Sequence, residues 1–391
     1  MAQGDKELTP PRRSVRIVGL LLMFLLPPTI LSLFLFLVAL YAEIGLPVVA
    51  QNRRPLLSTD IYRHSPTLGW KIAPDLAITL TSRDNTRSEP YFTSDAKGFR
   101  RSRPAPPGRG GILLGDSQVQ GYFLKDEETL PWRLSELLGI PVFNGGIGGY
   151  STDQELLLLE ETREELAWAG VILYANDLPK NLSREAWDLF KPRFAIVDGR
   201  VDFATIEPPR FNERLESQAD KDSVCCLYDG VQLRKQVGEN FLTLFNTLRW
   251  TPGKFPGTLA GVASLALGKS RHQYQLDETF YRQPESRQLE FTVLFQLLTR
   301  MQAIMTARNG RFFVVYLPEL AQLLGDPGLR DGPQRHFLEG CRRLGLECWD
   351  PTAEFIAEQR REALFFMDDD HLSPHGAAFL ANYLKGRIGS G

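Results

Sequence analysis

Histidine and cysteine are scarce in this 391-residue chain, with five and four copies, and they never recur at the spacing of a zinc site. The formal net charge is -2, and no extended basic stripe with interleaved aromatics appears beyond the N-terminus, so nothing calls for nucleic acid. Internal repeats and low-complexity tracts are also missing, which sets aside repeat architectures. The remaining composition is that of an ordinary globular protein, long enough for one large domain with an appendage. The expected partner is a small or neutral substrate, with no cofactor and no metal.

One stretch lacks charge altogether. Residues 17–42 contain no Asp, Glu, Lys or Arg and are rich in Leu, Phe and Val, a run longer than a helix needs to cross a bilayer. Pro27-Pro28 should kink that helix, which membrane helices tolerate. The alternative is a cleaved signal peptide, but the run exceeds a usual signal core and no small-x-small cleavage site follows. Lys6, Arg12, Arg13 and Arg16 precede it, so the positive-inside rule leaves residues 1–16 as a cytoplasmic tail. Everything after about Glu43 is then expected in the periplasm or outside the cell. That compartment permits disulfides. Cys341 and Cys348 flank one predicted helix-to-strand connection and are the favoured pair, while Cys225 and Cys226 are adjacent; buried free thiols are the alternative.

Residues 43–109 read as a linker and extended collar, Pro- and Arg-rich in part, with short apolar pieces at Leu68-Gly69-Trp70 and Tyr91-Phe92-Thr93. From Gly110 onward, apolar runs of strand length alternate with amphipathic segments of helix length, which predicts a three-layer α/β domain over 110–391 with a central parallel sheet. Strands are expected at 111–114, 142–144, 171–174, 311–317 and 346–349. Helices are expected at 128–138, 153–168, 290–307, 333–344 and 375–387. An insertion at about 178–288 interrupts the alternation, with a hairpin signal at Asp198-Gly199.

Ligands of open parallel sheets gather at the C-terminal strand ends, and the polar motifs sit there. Gly115-Asp116-Ser117 follows the first strand, Asn144-Gly145-Gly146-Ile147-Gly148-Gly149-Tyr150 the second, and Tyr174-Ala175-Asn176-Asp177 the third. Asp368-Asp369-Asp370-His371 precedes the last helix. A serine hydroxyl becomes a nucleophile at neutral pH only when an imidazole takes its proton, and the imidazole needs a carboxylate to orient it.

These four blocks, in this order, resemble the SGNH (GDSL) hydrolase superfamily, specifically its membrane-anchored envelope members. The resemblance implies a flavodoxin-like α/β/α fold behind one N-terminal transmembrane helix. It further implies Ser117 as nucleophile, His371 as general base and then acid, and Asp368 as its orienter, with Asp369 as the alternative. The implied oxyanion hole is the N–H of Ser117, the N–H of Gly149 and the side-chain amide of Asn176. The remaining acids of the triplet are expected in a solvated turn or helix cap. Gln118 and Tyr174-Ala175 stand where the family carries small residues, and are expected to add bulk near the reaction centre. The implied activity is hydrolysis of acyl esters, O-acetyl groups of an envelope or secreted glycan first among them. Two alternatives stay open: O-acetyl transfer by the same triad, which would need a membrane partner to pass acyl groups across, and a non-catalytic glycan-binding or assembly module.

Overall fold

The computed structural model describes residues 61–79, 91–104, 108–121, 123–186, 189–212, 215, 278–324, 332–366 and 370–389. The expected tail and span, Cys225, Cys226, Asp368 and Asp369 lie outside the described residues. Among the described residues no helix is long and apolar enough to cross a membrane.

The collar folds as two antiparallel pairs, β1 (Tyr62–Ser65) with β2 (Gly69–Ile72) and β3 (Ala77–Thr79) with β4 (Tyr91–Thr93). The first strand of the main sheet, β5 (Gly110–Gly115), is buried along its whole length, as expected of a parallel strand covered on both faces. It is followed by α1 (Ser117–Gln120), α2 (Leu130–Leu138), β6 (Val142–Gly146), α3 (Thr152–Glu161), β7 (Leu166–Leu173) and α4 (Asp177–Lys180). Two ribbons come next, β8 (Glu185–Ala186) with β9 (Leu189–Phe190), and β10 (Arg193–Val197) with β11 (Arg200–Glu207). Asp198 and Gly199 turn the second ribbon, both at positive φ, as a two-residue type I′ turn requires. The chain ends with α5 (Glu278–Arg282), α6 (Gln288–Ala307), β12 (Arg311–Tyr316), α7 (Leu320–Leu324), α8 (Gly332–Leu344), β13 (Cys348–Trp349), α9 (Thr352–Ala357) and α10 (Pro374–Ile388).

The strand order is β13-β12-β7-β5-β6, with every neighbour parallel. Alternate side chains go to opposite faces. Ile112, Leu114, Val171, Leu173, Val314 and Tyr316 join α3 and α6, whereas Leu113, Ile172, Phe313 and Val315 join α2 and α10. The expected central parallel sheet with helices on both faces is therefore present. Each fully buried Leu, Ile, Val or Phe contributes roughly 1.5–3 kcal/mol of transfer free energy, so apolar burial holds this sheet.

Local signals explain the helix ends. Thr129 accepts from the Trp132 N–H at 3.4 Å, Pro131 sits in the first turn, and left-handed Gly139 closes α2. Ser373 caps α10 by accepting from the Gly376 N–H at 3.1 Å. The helix expected over 153–168 stops at Glu161, and its last residues belong to β7. Thr162 ends that helix by donating to Leu158 O at 2.7 Å, and Leu166–Leu173 is an apolar run that the two-faced sheet claims, a run whose periodicity does not separate helix from strand. Cys341 and Cys348 are joined in a disulfide, which ties α8 to the edge strand β13.

Candidate active site

The strand order reverses beside β5: the chain passes to β6 on one side and returns to β7 on the other. A crevice at the C-terminal ends of β5 and β7 is the expected ligand position in such a sheet. Ser117 leaves β5 there and Asn176 follows β7. His371 arrives from the loop before α10, and its Nε2 lies 2.8 Å from Ser117 Oγ, although 254 residues separate the two in sequence.

The nucleophile turn is tightly specified. Asp116 caps α1, its Oδ1 accepting from the Gln118 N–H at 2.9 Å. Ser117 opens that helix, so its own N–H has no intrahelical acceptor. The oxyanion loop passes close behind α1. A Cβ on Gly146 would stand 2.1 Å from Gln120 N, so only glycine fits. Gly149 adopts φ +80°, a left-handed conformation that glycine takes without a steric cost.

The residue preceding Gly149 is anchored through both of its backbone groups. Gly148 donates its N–H to Gln120 Oε1 at 2.8 Å, and its carbonyl accepts from Trp70 Nε1 at 3.0 Å. Tyr62 also donates to Gln120 Oε1, at 2.9 Å. The collar is thus part of the site's scaffold, a role that reading it as a linker missed. Arg100 completes that scaffold. Its Nε donates to Asp126 Oδ1 at 2.9 Å, while its other nitrogens donate to the carbonyls of Gln120, Gly121 and Leu124 at 2.6–2.7 Å. The guanidinium also lies 4.4 Å from the Phe92 ring centre. Burial lowers its pKa and the Asp126 carboxylate opposes that shift.

Asn176 is exposed, and its Oδ1 accepts from Lys180 Nζ at 2.9 Å. An ammonium can only donate, so this bond fixes the amide orientation and leaves the two Nδ2 hydrogens as donors. Lys180 Nζ also lies 3.7 Å from Asp116 Oδ2 and 3.5 Å from Asp177 Oδ1. Burial, with Asp116 nearby, pushes the Asp177 carboxyl up to about 8. Glu155 is wholly buried behind it with neither oxygen hydrogen-bonded, and burial raises its pKa well above the usual range.

Asp370, the described member of the acidic triplet, is not solvated and does not cap α10, whose cap is Ser373. It is 6 % exposed; Tyr174 OH donates to Oδ2 and the Leu320 N–H donates to Oδ1 at 2.8 Å. Its carboxyl rises to about 7, chiefly through burial and against the lowering effect of the Tyr174 bond. Gln118 and Tyr174 are themselves buried, and Gln118 bonds the backbone on both sides of His371, so the bulk anticipated at these positions goes into holding the base loop. Phe123 was not anticipated. It packs edge-on to His371 and Phe366, with centroids 5.9 Å away in each case, and has φ +67°, rare for an aromatic residue. No sequence signal marks it.

No family model matches this chain, and no curated protein matches it. Solved structures do show distant similarity. A putative acylhydrolase from Bacteroides fragilis is 13% identical, covering 73% of this chain and 90% of its own, with a TM-score of 0.34. A catalytic mutant of an acetylxylan esterase from Geobacillus stearothermophilus is 12% identical, covering 74% and 97%, with a TM-score of 0.38. A putative lipolytic protein of the G-D-S-L family from Desulfitobacterium hafniense is 10% identical, covering 71% and 99%, with a TM-score of 0.31.

Proposed function

We propose that this chain is a membrane-tethered, exported serine esterase of SGNH type that cleaves acyl esters, O-acetyl groups on envelope or secreted glycans first among them. The observation that carries the reading is the 2.8 Å approach of His371 Nε2 to Ser117 Oγ at the point where the strand order reverses. In that geometry the imidazole takes the hydroxyl proton as Oγ attacks the ester carbonyl. The carbonyl oxygen becomes an alkoxide, and the N–H groups of Ser117 and Gly149 with Asn176 Nδ2 are its donors. Collapse breaks the C–O bond to the alcohol, which leaves with the proton held on His371. Water then repeats the sequence on the acyl-enzyme and releases acid. Asp368, or else Asp369, is the proposed orienter of the imidazole.

The uncharged run over 17–42 supports the tether, and the Cys341–Cys348 disulfide is in keeping with an oxidising compartment. A glycan as substrate rests on the envelope-type resemblance and on this topology.

The test is hydrolysis of p-nitrophenyl acetate by the full-length protein in detergent. Ser117→Ala should lower kcat by roughly 10³-fold or more; turnover equal to that of the unaltered protein would sink the reading. Replacing Asp368 and Asp369 singly identifies the orienter by the larger loss. Adding a glycan acceptor and following acetylated sugar by mass spectrometry separates hydrolysis from acyl transfer.

A further inference from the structure

Four backbone groups around His371 are hydrogen-bonded, two of them to the side chain of Gln118 and two to the backbone of Phe366. Its Nε2 donates to the carbonyl of Asp370 at 2.8 Å, and its Oε1 accepts from the N–H of Leu372 at 2.9 Å. One primary amide therefore spans the residue before the imidazole and the residue after it. The His371 carbonyl accepts from the Phe366 N–H at 2.8 Å, and the Asp370 N–H donates to Phe366 O at 3.0 Å. Asp370 has φ +55°, a left-handed conformation that a non-glycine residue keeps only when its surroundings enforce it.

Gln118 is also the residue next to the nucleophile, and its own N–H is fixed on Asp116. The nucleophile and the base loop are thus joined by a single side chain beginning one residue from Ser117. Gln118 is 3 % exposed, so water does not readily replace either bond.

From this we propose that Gln118 is a positioning residue that sets the distance between Ser117 and His371. The inference rests on the esterase reading of that pair. It gives the position a specific chemical requirement: a neutral group that donates and accepts at once. Alanine removes both bonds. Glutamate keeps the shape and the acceptor, but as a carboxylate it lacks the donor for Asp370 O; protonation restores that donor.

The experiment compares full-length wild type, Q118A and Q118E in detergent, by kcat and KM on p-nitrophenyl acetate from pH 6 to 8, by thermal melting and by crystallography. Q118A should lose about 10- to 100-fold in kcat, the scale of a misplaced catalytic group, with KM within about twofold, and its Nε2–Oγ separation should open beyond hydrogen-bond reach. Q118E should regain activity relative to wild type as pH falls from 8 to 6, whereas a carboxylate that acted only by raising the pKa of His371 would make the ratio fall over the same range. A lower melting temperature with unchanged kcat in Q118A and a flat Q118E ratio would assign Gln118 a structural role only and overturn the proposal. If wild type itself does not turn over, the esterase reading fails separately, and the Q118A separation still decides: 2.8 Å retained rejects the positioning role, and a lengthened contact upholds it. Should Q118A fail to fold, the Q118E ratio and separation carry the decision.

Discussion

The two loops facing Ser117 are fastened by different chemistry. The oxyanion loop hangs on Gly148, held by Gln120 and Trp70, groups that do not titrate in the working range of an enzyme. The base loop hangs on Gln118 and on the carboxyl of Asp370, which Tyr174 and Leu320 hold in a buried site. The contacts of the first loop carry no such group, whereas burial raises the carboxyl in the second to about 7. The difference locates pH dependence of the scaffold on the side that presents the imidazole.

The largest expected effect breaks the oxyanion side at its root. Arg100→Ala leaves Asp126 buried without its ion-pair partner and removes one donor from each of three carbonyls, so urea denaturation should register a loss of about 3–5 kcal/mol. A loss below 1 kcal/mol would mean that the collar is not anchored as described.

Next comes the base side. An acid whose folded pKa is raised holds its proton in the folded state where the unfolded chain has released it, so stability is full below the ordinary value of 3.8 and declines as pH rises through about 7. Between pH 5 and 7 Asp370 should cost the wild type on the order of 2 kcal/mol. Asp370→Asn should flatten that decline, and an unchanged slope in chemical denaturation would remove Asp370 as its source.

The smallest effect sharpens the contrast. Trp70→Phe removes the donor to Gly148 O while keeping an aromatic body, and kcat should fall roughly 5- to 10-fold, the equivalent of about 1 kcal/mol. The midpoints of its pH–rate profile should not move. A shifted midpoint would show that the two sides are coupled.

The sheet and its polar strand ends were readable because parallel strands buried on both faces leave continuous apolar runs, as at Ile112-Leu113-Leu114. The motifs holding Ser117, Gly149 and Asn176 follow those runs and His371 precedes the last helix, and the SGNH resemblance singles out the individual residues. What escaped was direction and long-range support. Size alone cast Gln118 as bulk in a pocket, whereas its amide points to a loop 252 residues away. Trp70 reaches Gly148 across 78 residues through one side-chain bond, a contact with no local periodicity to betray it. The end of α3 was misplaced for the related reason that Leu166–Leu173 is apolar throughout and only its sheet neighbours decide its conformation.

The bridge between Arg100 and Asn144 has a consequence for solubility. β6 is an outer strand of the sheet, and an uncovered outer strand offers unpaired amides to other molecules. The collar runs antiparallel beside it at Asn144, while the opposite rim is only the two residues of β13, too short to template another chain. A version trimmed to begin at Gly110 would keep every proposed catalytic group yet bare β6, and its failure in solution would come as strand-to-strand association between copies.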